Sequence, residues 1–137
     1  MESEVFLDTA YAIALSSKTD QFHNKAILLA DQLREQEIRI VTTRAIMMEI
    51  GNAFSKQRFR TIAIKLLQSM DNNQDIEIIP FSEQLYQQAF NLYCERPDKE
   101  WGLIDCISFV VMKERRLVEA LTNDNHFAQA GFTPLMG

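Results

Sequence analysis

Short apolar runs punctuate the chain, and helical patterns separate them. Glu4–Leu7, Ile38–Val41, Ile76–Ile79 and Leu117–Leu121 have the length and character of buried strands. Between the first two, AYAIALSS reads as a short helix. Asp20 then caps a second helix, whose apolar stripe is Phe22, Ala26, Leu29, Ala30 and Leu33. Thr42 and Thr43 are N-cap candidates for a helix over Ala45–Lys56, with Ile46, Met47, Ile50, Ala53 and Phe54 as its buried arc. Phe59–Met70 is amphipathic and ends in the turn formers Asp71, Asn72 and Asn73. Ser82 caps a helix that turns Leu85, Ala89, Leu92 and Tyr93 inward. Asn125–Ala130 predicts a last short helix stopped by Gly131, and Phe132–Leu135 a short edge strand. Strands alternating with helices predict an α/β chain, three layers deep, with a central parallel sheet between helices. Nothing divides residues 1–137, so a single domain is expected.

One helix departs from the amphipathic pattern. Trp101–Met112, WGLIDCISFVVM, is apolar on nearly every side and belongs in a core, yet it carries Asp105 near its start. An ionised carboxylate there is costly unless something pairs with it. The first strand runs into Asp8, and the fourth into Thr122-Asn123-Asp124. Strand ends of this kind line the crevice in which open α/β sheets bind ligands.

Composition changes this picture little. The net charge is -5, from 19 acidic and 14 basic residues, which argues against a large nucleic-acid surface. Setting Asp8, Glu49, Asp105 and Asp124 aside leaves 15 acids against 14 bases, so a local basic strip remains open. Cys94 and Cys106 are far apart, lack zinc-site spacing and lie in apolar helical patterns, which reads as two small core residues. The acidic N-terminus does not read as a signal peptide, and no apolar run approaches the length of a membrane span. The expectation is a cytoplasmic protein with reduced thiols and no membrane contact.

Each acid has an ordinary reading beside a chemical one. Asp8 and Asp124 are N-cap candidates, Glu49 sits at the margin of its helix's buried arc, and Asp105 is a first-turn acid facing the helix dipole. Taken together they place oxygen ligands around one crevice. Oxygen donors without Cys or paired His suit Mg²⁺ or Mn²⁺. Such clusters activate a water and stabilise charge on a phosphodiester. His126, directly after the Asp124 turn, is read as structural, and His23 as a surface residue.

The segments FLDT, MMEIGNAF, WGLIDCISFVVM and LTNDNHF, with Asp8, Glu49, Asp105 and Asp124 in order, resemble the PIN-domain family, and within it the VapC-type ribonuclease toxins of toxin–antitoxin pairs. The resemblance runs from Val5 to Pro134. It implies a PIN-like α/β/α fold and Mg²⁺- or Mn²⁺-dependent endoribonuclease activity on RNA. Asp8, Asp105 and Asp124 match the family's metal ligands. Glu49 matches the second-position acid that binds metal or orients the water, and Thr122 a hydroxyl that supports the last acid. An antitoxin protein and a homodimer are the partners it implies. Arg44 departs from the pattern, standing where relatives commonly carry a small or hydroxyl residue; it reads as a contact to RNA phosphate or as a salt bridge to an acid of the cleft. Arg58 and Arg60, in the basic cluster with Lys56, are further RNA-contact candidates. Cys106, after Asp105, is a second departure, tolerable in a core-facing position.

The rival readings fare worse. A catalytically silent PIN-like module binding RNA or protein is expected to lack one of the acids, and this chain keeps all four. A phosphatase with an Asp nucleophile after strand one needs a second Asp where Ala10 stands, and a receiver domain needs an Asp and Lys pair that is missing.

Overall fold

The computed structural model describes residues 1–137. Its element order is β1 (Glu4–Leu7), α1 (Thr9–Ser16), α2 (His23–Glu35), β2 (Arg39–Thr43), α3 (Arg44–Ala53), α4 (Gln57–Asn72), β3 (Ile76–Ile79), α5 (Glu83–Glu95), α6 (Leu103–Glu114), β4 (Glu119–Leu121), α7 (Asn125–Gln129) and β5 (Thr133–Pro134). The five strands form one sheet in the order β3-β2-β1-β4-β5, and every pairing is parallel. Parallel sheets carry helices on both faces, so their central strands lose all contact with water. Val5, Phe6 and Leu7 of β1 are accordingly buried. The expected α/β architecture with a central parallel sheet is the one observed.

The order puts β1 in the middle. The chain leaves it toward β2 and β3, then returns to its other side with β4 and β5. Successive elements therefore part company at the β1/β4 boundary, and a crevice opens beyond the C-terminal ends of those strands. Pairing persists to the strand tips, where the Asp8 N–H donates to the Leu121 carbonyl at 3.3 Å. The Thr42 hydroxyl, buried in β2, donates to the Leu7 carbonyl at 2.8 Å.

Several boundaries differ from expectation. The helix after β2 starts at Arg44, capped by the Thr43 hydroxyl, which accepts from the Ile46 N–H at 3.1 Å. It ends at Ala53, which is exposed. Asp20 closes a turn onto the Phe22 N–H at 2.8 Å, and the following helix begins only at His23. β4 starts at Glu119 and β5 covers only Thr133–Pro134. Gly131, at φ 96°, ends the last helix in the left-handed conformation that glycine accepts at least cost. Tyr93 and Cys94 face solvent instead of the core. On α5, Leu85 and Ala89 are buried, while the neighbouring stripe Tyr86, Phe90 and Tyr93 points outward.

The last turn of the chain is anchored by an aromatic cluster. Phe127 is fully buried, with its ring centroid 5.0 Å from Phe109 of α6 and 6.3 Å from Phe6 of β1. Trp101 packs edge-on against the same Phe109 at 5.0 Å. Truncating Phe127 removes the ring that ties α7 to α6 and β1. Phe127→Ala is expected to lower unfolding stability by about 3–5 kcal/mol, read as a shift of the urea midpoint.

Candidate active site

Asp8 follows β1 directly, in extended backbone at the head of α1. Its carboxylate makes no capping bond to that helix. It turns instead toward β4, where the Thr122 hydroxyl donates to Oδ2 at 2.7 Å. Thr122 is itself fully buried, and its oxygen accepts the Asp124 N–H at 3.0 Å. A hydroxyl has one proton to give. Because the Asp124 N–H can only donate, the Thr122 proton is left for Asp8. One side chain thus fixes two of the acids relative to each other.

The other acids are held from three further elements. The Thr9 hydroxyl, next to Asp8 in the chain, donates to Glu49 Oε1 at 2.6 Å and joins α1 to α3. Asp105 lies in the first turn of α6 and accepts the Gly102 N–H at 3.1 Å through Oδ2. Asp124 caps α7, accepting the His126 N–H at 2.9 Å through Oδ1. The cap reading therefore holds for Asp124 and the first-turn reading for Asp105, while Asp8 stands at the N-cap position of α1 without a side-chain capping bond.

Burial sets the electrostatics. Asp8, at 7% exposure, is the most deeply buried of the four, a place the apolar surroundings of Asp105 would have given to Asp105. Loss of solvent raises the Asp8 pKa from 3.8 to about 7; the Thr122 hydroxyl and Thr9 N–H oppose the rise, and the charges of Glu49 and Asp105 add to it. Asp105 is also raised, first by burial, then by Asp124, with the Gly102 N–H and His126 opposing. Mutual repulsion of this kind requires the four carboxylates to share one neighbourhood. The chain's arginine ion pairs lie elsewhere, Arg34 with Asp31, Arg44 with Asp71, Arg96 with Asp98 and Arg115 with Glu77. The four acids have no Lys or Arg partner.

The one cation-forming side chain that approaches them is His126. Its Nδ1 lies 3.3 Å from Asp105 Oδ2 and 3.4 Å from Asp124 Oδ1. That nitrogen is sealed from solvent and makes no hydrogen bond. The sequence reading of His126 as structural missed this contact. The available signal was its position two residues after Asp124, in the first turn of a helix. His23 is spent elsewhere, with Nδ1 2.7 Å from the Ala14 carbonyl.

The proposed RNA contacts lie outside the cluster. Arg44 pairs with Asp71 at 3.0 Å and with none of the four acids. Arg58 lies over the Phe59 ring, and Arg60 donates to the Ser55 carbonyl at 2.7 Å. A cavity of about 670 Å³ between α1, α2, α4, β2 and β3 holds none of the four acids. Charge density, not volume, marks the site.

A parallel α/β sheet with uncompensated carboxylates gathered at its switch point defines an acidic-cleft α/β protein. The profile of the PIN domain family matches residues 5–133, and the chain belongs to that family. The crystal structure of Mycobacterium tuberculosis VapC20, described as a sarcin–ricin loop cleaving toxin, is similar, with a TM-score of 0.82 at 20% identity over 94% of this chain and 96% of that one. VapBC2 from Rickettsia felis, solved bound to a DNA fragment from its promoter, matches with a TM-score of 0.65 at 18% identity, covering 96% of both chains. At these identities the likeness is one of fold. No curated protein sequence matches the chain.

The raised Asp8 pKa gives a signed expectation. Folded Asp8 binds its proton more tightly than unfolded Asp8, so its contribution favours folding in full below about pH 4 and is lost as pH climbs through about 7. In EDTA, the melting temperature should fall between about pH 5 and pH 8, with Asp8 accounting for at most roughly 4 kcal/mol. Asp8→Asn should flatten that fall. A wild-type melting temperature that stays level across this range in EDTA would contradict the assignment.

Proposed function

We propose that the chain is a metal-dependent endoribonuclease that hydrolyses RNA phosphodiester bonds. In this reading it is a single-domain, cytoplasmic toxin of a toxin–antitoxin pair. The observation that carries the nuclease reading is the gathering of Asp8, Glu49, Asp105 and Asp124, without Lys or Arg, at the crevice beyond β1 and β4. The likeness to VapC20 and VapBC2 supports the toxin reading, with an antitoxin protein as partner. A homodimer is part of the same proposal. No helix of the chain is long and apolar enough to cross a membrane.

The residues fit a divalent cation. The donor set is chiefly carboxylate oxygen, which suits Mg²⁺ or Mn²⁺. Asp105, Asp124 and His126 present ligand atoms within 4.8 Å of one another, and His126 Nδ1 is an orphaned buried polar atom. When bound, such an ion lowers the pKa of a water and neutralises charge on the phosphoryl group. The chain supplies the rest. Thr122 holds the Asp8 carboxylate and the Asp124 backbone, and the His126 N–H holds the Asp124 carboxylate, so both acids are positioned before substrate arrives. Thr9 holds one oxygen of Glu49 and leaves Oε2 to orient the attacking water. The Gly102 N–H fixes Asp105 at the helix start.

Purified protein is expected to cut RNA internally in Mg²⁺ or Mn²⁺ and to stop in EDTA. Asp8→Asn and Asp105→Asn should each reduce cleavage by about a hundredfold or more, since even the supporting partners of metal ligands are worth 10–100-fold. RNA binding without cutting under any of these conditions would point to a silent binding module.

Arg58 and Arg60 are proposed to lead phosphates toward the cleft from the start of α4, with Arg44 as a further candidate whose Asp71 partner must first be displaced. The double change Arg58→Ala, Arg60→Ala should then flatten the salt dependence of RNA affinity by about 0.7 per lost phosphate contact. An unchanged slope in a binding titration would assign both to a solvated face.

A further inference from the structure

The reading above counts His126 among the nearby ligand atoms but gives it no role distinct from that of the acids. Its backbone is fixed twice, by the Asp124 carboxylate on its own N–H and by the buried Phe127 ring that follows it. The residue's backbone is therefore held beside the cleft. About a third of the side chain is exposed, yet Nδ1 is fully covered, so the solvated edge is the opposite one. A buried imidazole nitrogen without a hydrogen bond is costly unless it meets another partner.

The distances suggest which partner. Neighbouring donors around a six-coordinate ion with bonds near 2.1 Å stand about 3 Å apart. Nδ1 is 3.3 Å from Asp105 Oδ2 and 3.4 Å from Asp124 Oδ1, and all three atoms fall within 4.8 Å of one another. They are spaced as ligands of one ion. The neutral imidazole offers a lone pair at such a nitrogen. Asp8 and Glu49 bring oxygen alone.

We propose that His126 binds the divalent cation through Nδ1, completing with Asp105 and Asp124 a mixed nitrogen and oxygen site that favours Mn²⁺ over Mg²⁺. Magnesium keeps to oxygen ligands and gives up water reluctantly, whereas first-row transition ions accept imidazole. The inference rests on the reading of the acids as a metal site, and on nothing in the RNA chemistry.

The test uses untagged protein and Mn²⁺ alone, below one equivalent, with pulsed electron paramagnetic resonance as the readout. Wild type should show the nitrogen coupling of a directly bound imidazole, and labelling histidine with ¹⁵N should change it without altering any residue. His23→Gln should keep the coupling. His126→Gln should lose it, and the ratio of Mg²⁺ to Mn²⁺ dissociation constants should fall by about tenfold or more. Melting curves in EDTA check that the variants are folded, and the ¹⁵N experiment decides the matter if His126→Gln is not. Bound Mn²⁺ without nitrogen coupling overturns the proposal, as does coupling that survives in His126→Gln, or no Mn²⁺ binding at all. The two readings fail separately. Nitrogen-coupled Mn²⁺ in a protein that cuts no RNA would remove the nuclease and leave the ligand, and cutting without nitrogen coupling would do the reverse.

Discussion

The carboxylate of Asp8 cannot be withdrawn from water without compensation, and much of the cleft is arranged around that fact. β1 is paired on both sides and covered on both faces, so whatever ends it is buried with it. The compensation is a hydroxyl bond from Thr122 with a lesser contribution from the Thr9 N–H, and it leaves the proton affinity of Asp8 well above that of a solvated carboxylate. Thr122 gives that bond with its proton while its oxygen accepts the Asp124 N–H. The bend after β4, the cap of α7 and the burial of Asp8 are therefore one arrangement.

Much of this was legible in the chain because the relevant signals are local. Apolar runs of strand length marked all four longer strands, and each acid sat at the end of a strand or in a helix of definite face. The parallel sheet followed from the alternation of elements. What was not legible depended on rotation and depth. On α5, residues 85, 89 and 92 and residues 86, 90 and 93 form two apolar stripes about 100° apart, and spacing alone does not say which meets α6. Tyr93 was placed inside for that reason and lies outside. Cys94 was placed with it.

The ranking of burial failed for a related reason. Asp105 has apolar sequence neighbours, but on a helix such neighbours point in every direction, and the first turn opens into the cleft. Asp8 has a mixed neighbourhood in sequence, yet it sits at the tip of the most enclosed strand. Position in the sheet outweighs local composition. His126 escaped notice because its partners are Asp124, which is local, and Asp105, which lies on a different element.

Arg44 shows what the cleft excludes. An arginine at the head of α3 has the reach and the charge to neutralise a neighbouring carboxylate, and such a pair would relieve the repulsion among the acids. The structure gives it Asp71 of α4 instead, in a half-exposed pair of the kind that adds little stability. The guanidinium is thereby kept from the cleft, and the acids stay uncompensated except by His126. A permanent internal cation would have made a more stable protein and a poorer ligand, since any incoming ion would have to displace it. Burial first, and the neighbouring carboxylates after it, raise the proton affinities of Asp8 and Asp105, a demand that a proton can satisfy at low pH and a divalent cation can satisfy at neutral pH.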